Sequence, residues 1–139
     1  MTKAMQISLR AGERIFINGA VVRADRKVSL ELMNDVVFLL EAHVLQAEET
    51  TTPLRQLYFV LQAILMDPQN AKPTLVLFED VLESTLASFS NETVVSGLKF
   101  VRQMVAANRT FDALRAIRGL FPVEAKILES TAARPPRAA

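Results

Sequence analysis

LRAGERIFINGAVVRADRKVSLEL, residues 9 to 32, is the stretch from which the fold is read. Asn18-Gly19 within it is the strongest short-range hairpin signal, because a two-residue type I′ turn needs positive φ at both central positions and these residues tolerate it best. With the turn there, Ile17 faces Ala20, Phe16 faces Val21, Ile15 faces Val22 and Arg14 faces Arg23. Side chains alternate between the two faces of a strand. Ile15, Ile17, Ala20 and Val22 therefore make one face, expected to be core, while Phe16 and Val21 lie on the other beside two arginines directly across from each other. Like charges so placed are destabilising by up to ~1 kcal/mol, so an anion is wanted nearby. Either a carboxylate of the fold supplies it, from Glu13, Asp25 or Glu31, or a polyanion does, with Phe16 free to stack on a base as in single-stranded RNA recognition. The residues alone leave both readings open.

Outward from the hairpin, MQISLR (residues 5 to 10) alternates cleanly and reads as a strand ending in the turn Ala11-Gly12-Glu13. After the charged turn Asp25-Arg26-Lys27, VSLEL puts Val28, Leu30 and Leu32 on one face, giving four short antiparallel strands by residue 32. VVFLLEAHVL, from Val36, fits either a buried strand or a helix; the β-branched pair and Phe38 favour a strand.

From residue 50 the periodicity becomes helical. Thr52 as N-cap and Pro53 at the first helical position start a helix through Leu54, Leu57, Tyr58, Leu61, Ile64 and Leu65, stopped by Asp67-Pro68. A second helix opens at Pro73-Thr74 with Leu75, Phe78, Val81, Leu82, Leu86 and Phe89 facing the core. A third, capped by Ser90-Asn91, carries Val94, Leu98, Val101, Met104 and Val105. After the break at Asn108 to Thr110, a short fourth is expected before Gly119, then a last turn from Pro122. The fold class is α+β: a small N-terminal antiparallel sheet of four to five strands packed on a C-terminal bundle of about four helices. One domain is expected over residues 1–130, mainly β over 1–48 and helical over 50–130, with a disordered tail over 131–139.

The chain of 139 residues has a net charge of +1 that conceals a segregation. Residues 1 to 30 hold six basic against two acidic side chains, 31 to 100 three against ten, and 101 to 139 seven against three. Basic ends and an acidic middle bear on partners rather than on fold. With no cysteine, disulfides, thiolate metal sites and cysteine nucleophiles are excluded. No stretch has the ~18 consecutive apolar residues of a membrane span, so a cytoplasmic protein without membrane association is expected.

Chemistry-bearing motifs are missing: there is no phosphate-binding or dinucleotide glycine loop, no metal-ligand spacing and no nucleophile elbow. His43 is the only histidine, and a lone histidine without partners reads as a packing or surface residue. No cofactor, metal or catalytic residue is expected, and the chain reads as a non-enzyme. Two binding surfaces compete. One is the basic hairpin face, with Arg10, Arg14, Arg23, Arg26 and Lys27 as contacts to an RNA backbone and Phe16 as a stacking platform. The other is the helical half, where Glu79, Asp80 and Glu83 cluster on one helix as an adaptor or chaperone surface for a protein partner. Nothing in the residues fixes an oligomeric state.

GERIFING (Gly12 to Gly19), DRKVSLEL (Asp25 to Leu32) and TTPLRQLYF (Thr51 to Phe59) occur here in the order found in the flagellum biosynthesis repressor family FlbT of alphaproteobacteria, which residues 5 to 118 resemble. The resemblance implies a post-transcriptional regulator that associates with the 5′ untranslated leader of flagellin mRNA and promotes its decay. It also implies partnership with the FlaF-type flagellar regulator and with flagellin. It supplies no catalytic or RNA-contacting residues, and leaves open whether the transcript is touched directly or through a bound partner.

Overall fold

The computed structural model describes residues 5–34 and 36–132. The expected disordered tail lies outside the described residues except for its first two positions, which belong to a helix. Five strands come first: β1 (Met5–Leu9), β2 (Arg14–Ile17), β3 (Ala20–Arg23), β4 (Val28–Leu32) and β5 (Phe38–Leu40). Four α-helices follow: α1 (Pro53–Met66), α2 (Ala71–Ser88), α3 (Glu92–Ala106) and α4 (Thr110–Ala132). The class is α+β, as the order of sequence patterns implied.

The Asn18-Gly19 turn forms with φ of 48° and 89°, both positive as a type I′ hairpin requires. Its register is the expected one, from Ile17 opposite Ala20 to Arg14 opposite Arg23. β1 pairs antiparallel with β4, and β2 sits between β3 and β5 in a second sheet. This second sheet is the middle layer of the molecule. Ile15 and Phe38 pack with Ile7 and Leu9 of the β1–β4 sheet, whereas Phe16 and Leu39, the next residues along each strand, pack with the helices. A strand covered on both faces reads as a continuous apolar run, which is what Ile15-Phe16-Ile17 and Phe38-Leu39-Leu40 are.

That layering corrects the expected core face. Ile15 is buried and Ile17 partly so, but Ala20 and Val22 are exposed, because β3 is an edge strand that overhangs both covering layers. Phe16 is corrected in the opposite sense, being only 7 % exposed. The segment after residue 36 is a strand for three residues and then two 3-10 turns, Glu41–His43 and Ala47–Glu49.

α1 begins as expected, with Thr52 Oγ1 accepting from the Arg55 N–H at 3.2 Å. Asn91 caps α3 in the same way on Val94 N–H, at 3.1 Å. Asn108, at φ 61°, breaks the chain before α4. The division of the last segment is corrected: α4 runs unbroken through Gly119 and Pro122. Tertiary packing sustains it, since Leu120, Phe121, Val123 and Ile127 belong to the helical core. Leu120 itself lies so close to α3 that a Cβ on Gly97 would sit 2.7 Å from its Cδ1.

Candidate nucleic-acid interface

The two arginines placed across from each other in the hairpin are indeed neighbours, but a carboxylate of the fold already engages one of them. Glu41, from the 3-10 turn after β5, accepts the Arg14 backbone N–H through Oε2 and Arg14 Nε through Oε1, both at 2.9 Å. These two hydrogen bonds, then the nearby charges of Arg14 and Arg23, hold the Glu41 carboxyl below its ordinary range against a smaller opposing effect of burial. None of Glu13, Asp25 or Glu31 supplies the counterion to Arg14. Glu41 is 27 residues from Arg14 in sequence and reaches it because β5 pairs with the other edge of β2.

Phe16 is not an open stacking platform. Its ring lies against the helical core, with the Arg14 guanidinium 5.9 Å from the ring centroid. Its remaining edge borders a groove of about 560 Å³ that also involves Val44, Leu45, Phe59 and Met66.

The β1–β4 pairing creates a different juxtaposition. Its last pair is Leu9 opposite Val28, so Arg10 and Lys27 are the residues that follow the ladder's end on either side. Both line a groove of about 480 Å³ with Ser8, Glu13, Glu41, Ala42 and His43. Neither cation has an ion pair among the described residues. The groove's carboxylates are committed elsewhere, Glu13 to the Arg10 backbone N–H at 2.6 Å and Glu41 to Arg14. Among the described residues Arg23, exposed at the hairpin edge, has no ion pair of its own, and Arg26 makes only a loose, exposed contact of 3.5 Å with Asp25. The want of an anion thus falls on the groove that Arg10 and Lys27 share, 17 residues apart, rather than on the pair that the turn made obvious. The pairing of β1 with β4 across the hairpin was the missing link.

His43 also lines this groove. Its carbonyl accepts the buried Tyr58 O–H, and Arg118 Nη1 donates to the same Tyr58 oxygen at 3.3 Å. Burial, with a smaller effect of the Arg118 charge, lowers the His43 pKa, while burial raises that of Tyr58 against the opposing Arg118. Two residues on, Leu45 is held by Gln62 of α1 through a double hydrogen bond.

On the helical half, Glu79, Asp80 and Glu83 are all exposed on α2, and Glu83 pairs with Arg102 of α3. Val76 and Leu77 stand exposed beside them. Among the described residues no group of three or more His, Asp or Glu could hold a metal ion, and no helix is long and apolar enough to cross a membrane.

A family model described as "Flagellar protein FlbT" matches residues 5–128. A protein of Chelativorans sp. (strain BNC1) called "Probable flagellum biosynthesis repressor protein FlbT" is 52 % identical over 130 residues, covering 94 % of this chain and 90 % of that one. Proteins with the same description are 52 % identical over 130 residues in Rhizobium etli (strain CIAT 652), covering 94 % and 87 %, and 53 % identical over 125 residues in Brucella ovis, covering 90 % and 82 %. No solved structure matches. With the match running from the first strand through most of the last helix, the chain belongs to the FlbT family of flagellar proteins.

Proposed function

We propose that this protein is a non-enzymatic repressor of flagellum biosynthesis that acts after transcription, by docking the 5′ leader of a flagellin mRNA on its N-terminal sheets. The observation that carries the site is that Arg10 and Lys27 line one groove, two cations without an ion pair among the described residues. A phosphodiester backbone supplies the anion they lack, with Arg23 and Arg26 extending the contact along the hairpin. The name carried by the relatives supports the repressor role. Decay of the transcript falls in this reading to a separate ribonuclease, recruited or exposed by binding, with the chain acting in the cytoplasm.

The test is binding of the full chain to a flagellin leader RNA across a salt series, with crosslinked peptides mapped. Arg10→Ala/Lys27→Ala is expected to weaken binding and to flatten the salt slope by about 1.4, two phosphate contacts at ~0.7 each for a single strand. Arg14→Ala, whose side chain is engaged by Glu41, should change much less. Salt-insensitive binding, or crosslinks confined to α2 and α3, would overturn the site. Confinement there would favour the second reading, an adaptor whose exposed α2 face of Val76, Leu77, Glu79, Asp80 and Glu83 receives a FlaF-type regulator or flagellin.

A further inference from the structure

β3 is exposed along its whole length and on both faces, with Val21 60 % and Val22 43 % accessible. Among the described residues its only strand neighbour is β2, which leaves its outer edge without a strand there. It carries none of the usual devices against pairing, having no proline, no bulge and no charge at its centre. The direction of its free backbone groups follows from the hairpin. Ala24 N–H donates to Glu13 O at 2.9 Å, so by alternation the N–H and C=O of Ala20, Val22 and Ala24 point toward β2. Those of Val21 and Arg23 then point out from the open edge.

We propose that β3 pairs with the β3 of a second copy of this chain, antiparallel about a two-fold axis at Val22, joining two three-stranded sheets into one of six strands. Only this register lets all four outward groups of each copy bond at once, Val21 with the partner's Arg23 and Arg23 with the partner's Val21. An axis at Arg23 would set two guanidinium groups against each other, and one at Val21 would lay Arg23 beside the Gly19 turn. At the proposed axis no like charges meet: Val22 covers its own symmetry mate, Ala20 meets Ala24, and Arg26 meets Asn18. This self-complementarity favours a second copy over a strand of another protein. A contact confined to one short strand falls below the ~1,200 Å² of stable interfaces, so the dimer is weak and concentration-dependent.

The absence of cysteine from the chain allows a direct test. Val22 and its mate form a non-hydrogen-bonded pair with Cα atoms ~4.5 Å apart, within disulfide range, whereas Val21 lies two residues off register from its own mate. Under mild oxidation of the full chain, Val22→Cys is expected to give about tenfold more disulfide-linked dimer than Val21→Cys, the geometry permitting one bridge and not the other. Sedimentation of the native chain should show a mass rising with concentration. Val22→Lys, which sets like charges on the axis, and Val21→Pro, which removes an outward N–H without touching the β2 ladder, should each abolish that rise while keeping native circular dichroism. A native chain monomeric at every concentration, equal crosslinking at both positions, or a dimer that survives both substitutions would overturn the proposal. A monomeric chain that instead binds an extended foreign segment along β3 would assign the edge to another partner.

Discussion

Removing the side-chain amide of Gln62 should loosen the junction between the strands and the helices. Gln62 is 4 % exposed on α1; its Oε1 accepts the Leu45 N–H at 2.8 Å, and its Nε2 donates to the Leu45 carbonyl at 2.7 Å. A side chain thus stands in for a strand partner to a backbone that has left the sheet. Gln62→Leu keeps the approximate volume but orphans both Leu45 groups, at about 1–3 kcal/mol each. The leucine returns ~1.5 kcal/mol or more through burial, so the net loss is on the order of 2–3 kcal/mol. With a urea m-value near ~2 kcal/mol/M, the midpoint should fall by about 1–1.5 M. Gln62→Glu tests the geometry separately. It retains an acceptor for the N–H but turns a second acceptor on the carbonyl, so it should be no more stable than the leucine variant. Urea unfolding followed by far-UV circular dichroism measures both, and hydrogen exchange at the Leu45 amide reports local release. A leucine variant within ~0.5 kcal/mol of the native chain would refute the claim that these bonds anchor the loop.

Three further outcomes follow from the same packing. Gly97→Leu drives a side chain into Leu120 where α3 meets α4, and should lower thermal stability by an amount equivalent to about 1–3 kcal/mol, read by calorimetry. Glu124, 1 % exposed on α4, accepts the Leu54 N–H at the start of α1 at 2.9 Å; Glu124→Ala should cost about 1–3 kcal/mol in urea unfolding, and Glu124→Gln, which keeps an acceptor, clearly less. For pH, the folded pKa values of His43 and Glu41 lie below their ordinary 6.5 and 4.5, so the unfolded chain binds each proton first as pH falls. These two groups contribute fully above about 6.5; stability declines as pH drops through the interval down to the folded value of His43 and again below 4.5 on account of Glu41, while the raised Tyr58 removes stability as pH climbs above 10. His43→Asn should remove the first decline in a series of urea melts, and an unchanged profile would refute it.

The hairpin, its turn and its register were legible because each depends on neighbours in sequence. Asn18-Gly19 dictates the turn geometry, and the turn dictates which residues oppose. The starts of α1 and α3 were legible for the same reason, since Thr52 and Asn91 satisfy amides only three residues away. The end of the helical half was not. Gly119 and Pro122 weaken a helix locally, yet α4 continues because the core contacts of Leu120, Phe121, Val123 and Ile127 outweigh that preference.

For the candidate site the division is similar. Sequence alone picked out Arg10, Arg14, Arg23, Arg26 and Lys27 as a basic cluster, because they lie within 18 consecutive residues of strand and turn. It could not say which of them is already answered. Only the tertiary structure brings Glu41 back along β2 to engage Arg14, turns Phe16 inward under the helices, and places Arg10 and Lys27 in the lining of one groove. The physical reason is that period and turn chemistry are local, whereas a counterion, a covering layer and a cross-strand neighbour arrive from residues the chain must fold back to meet.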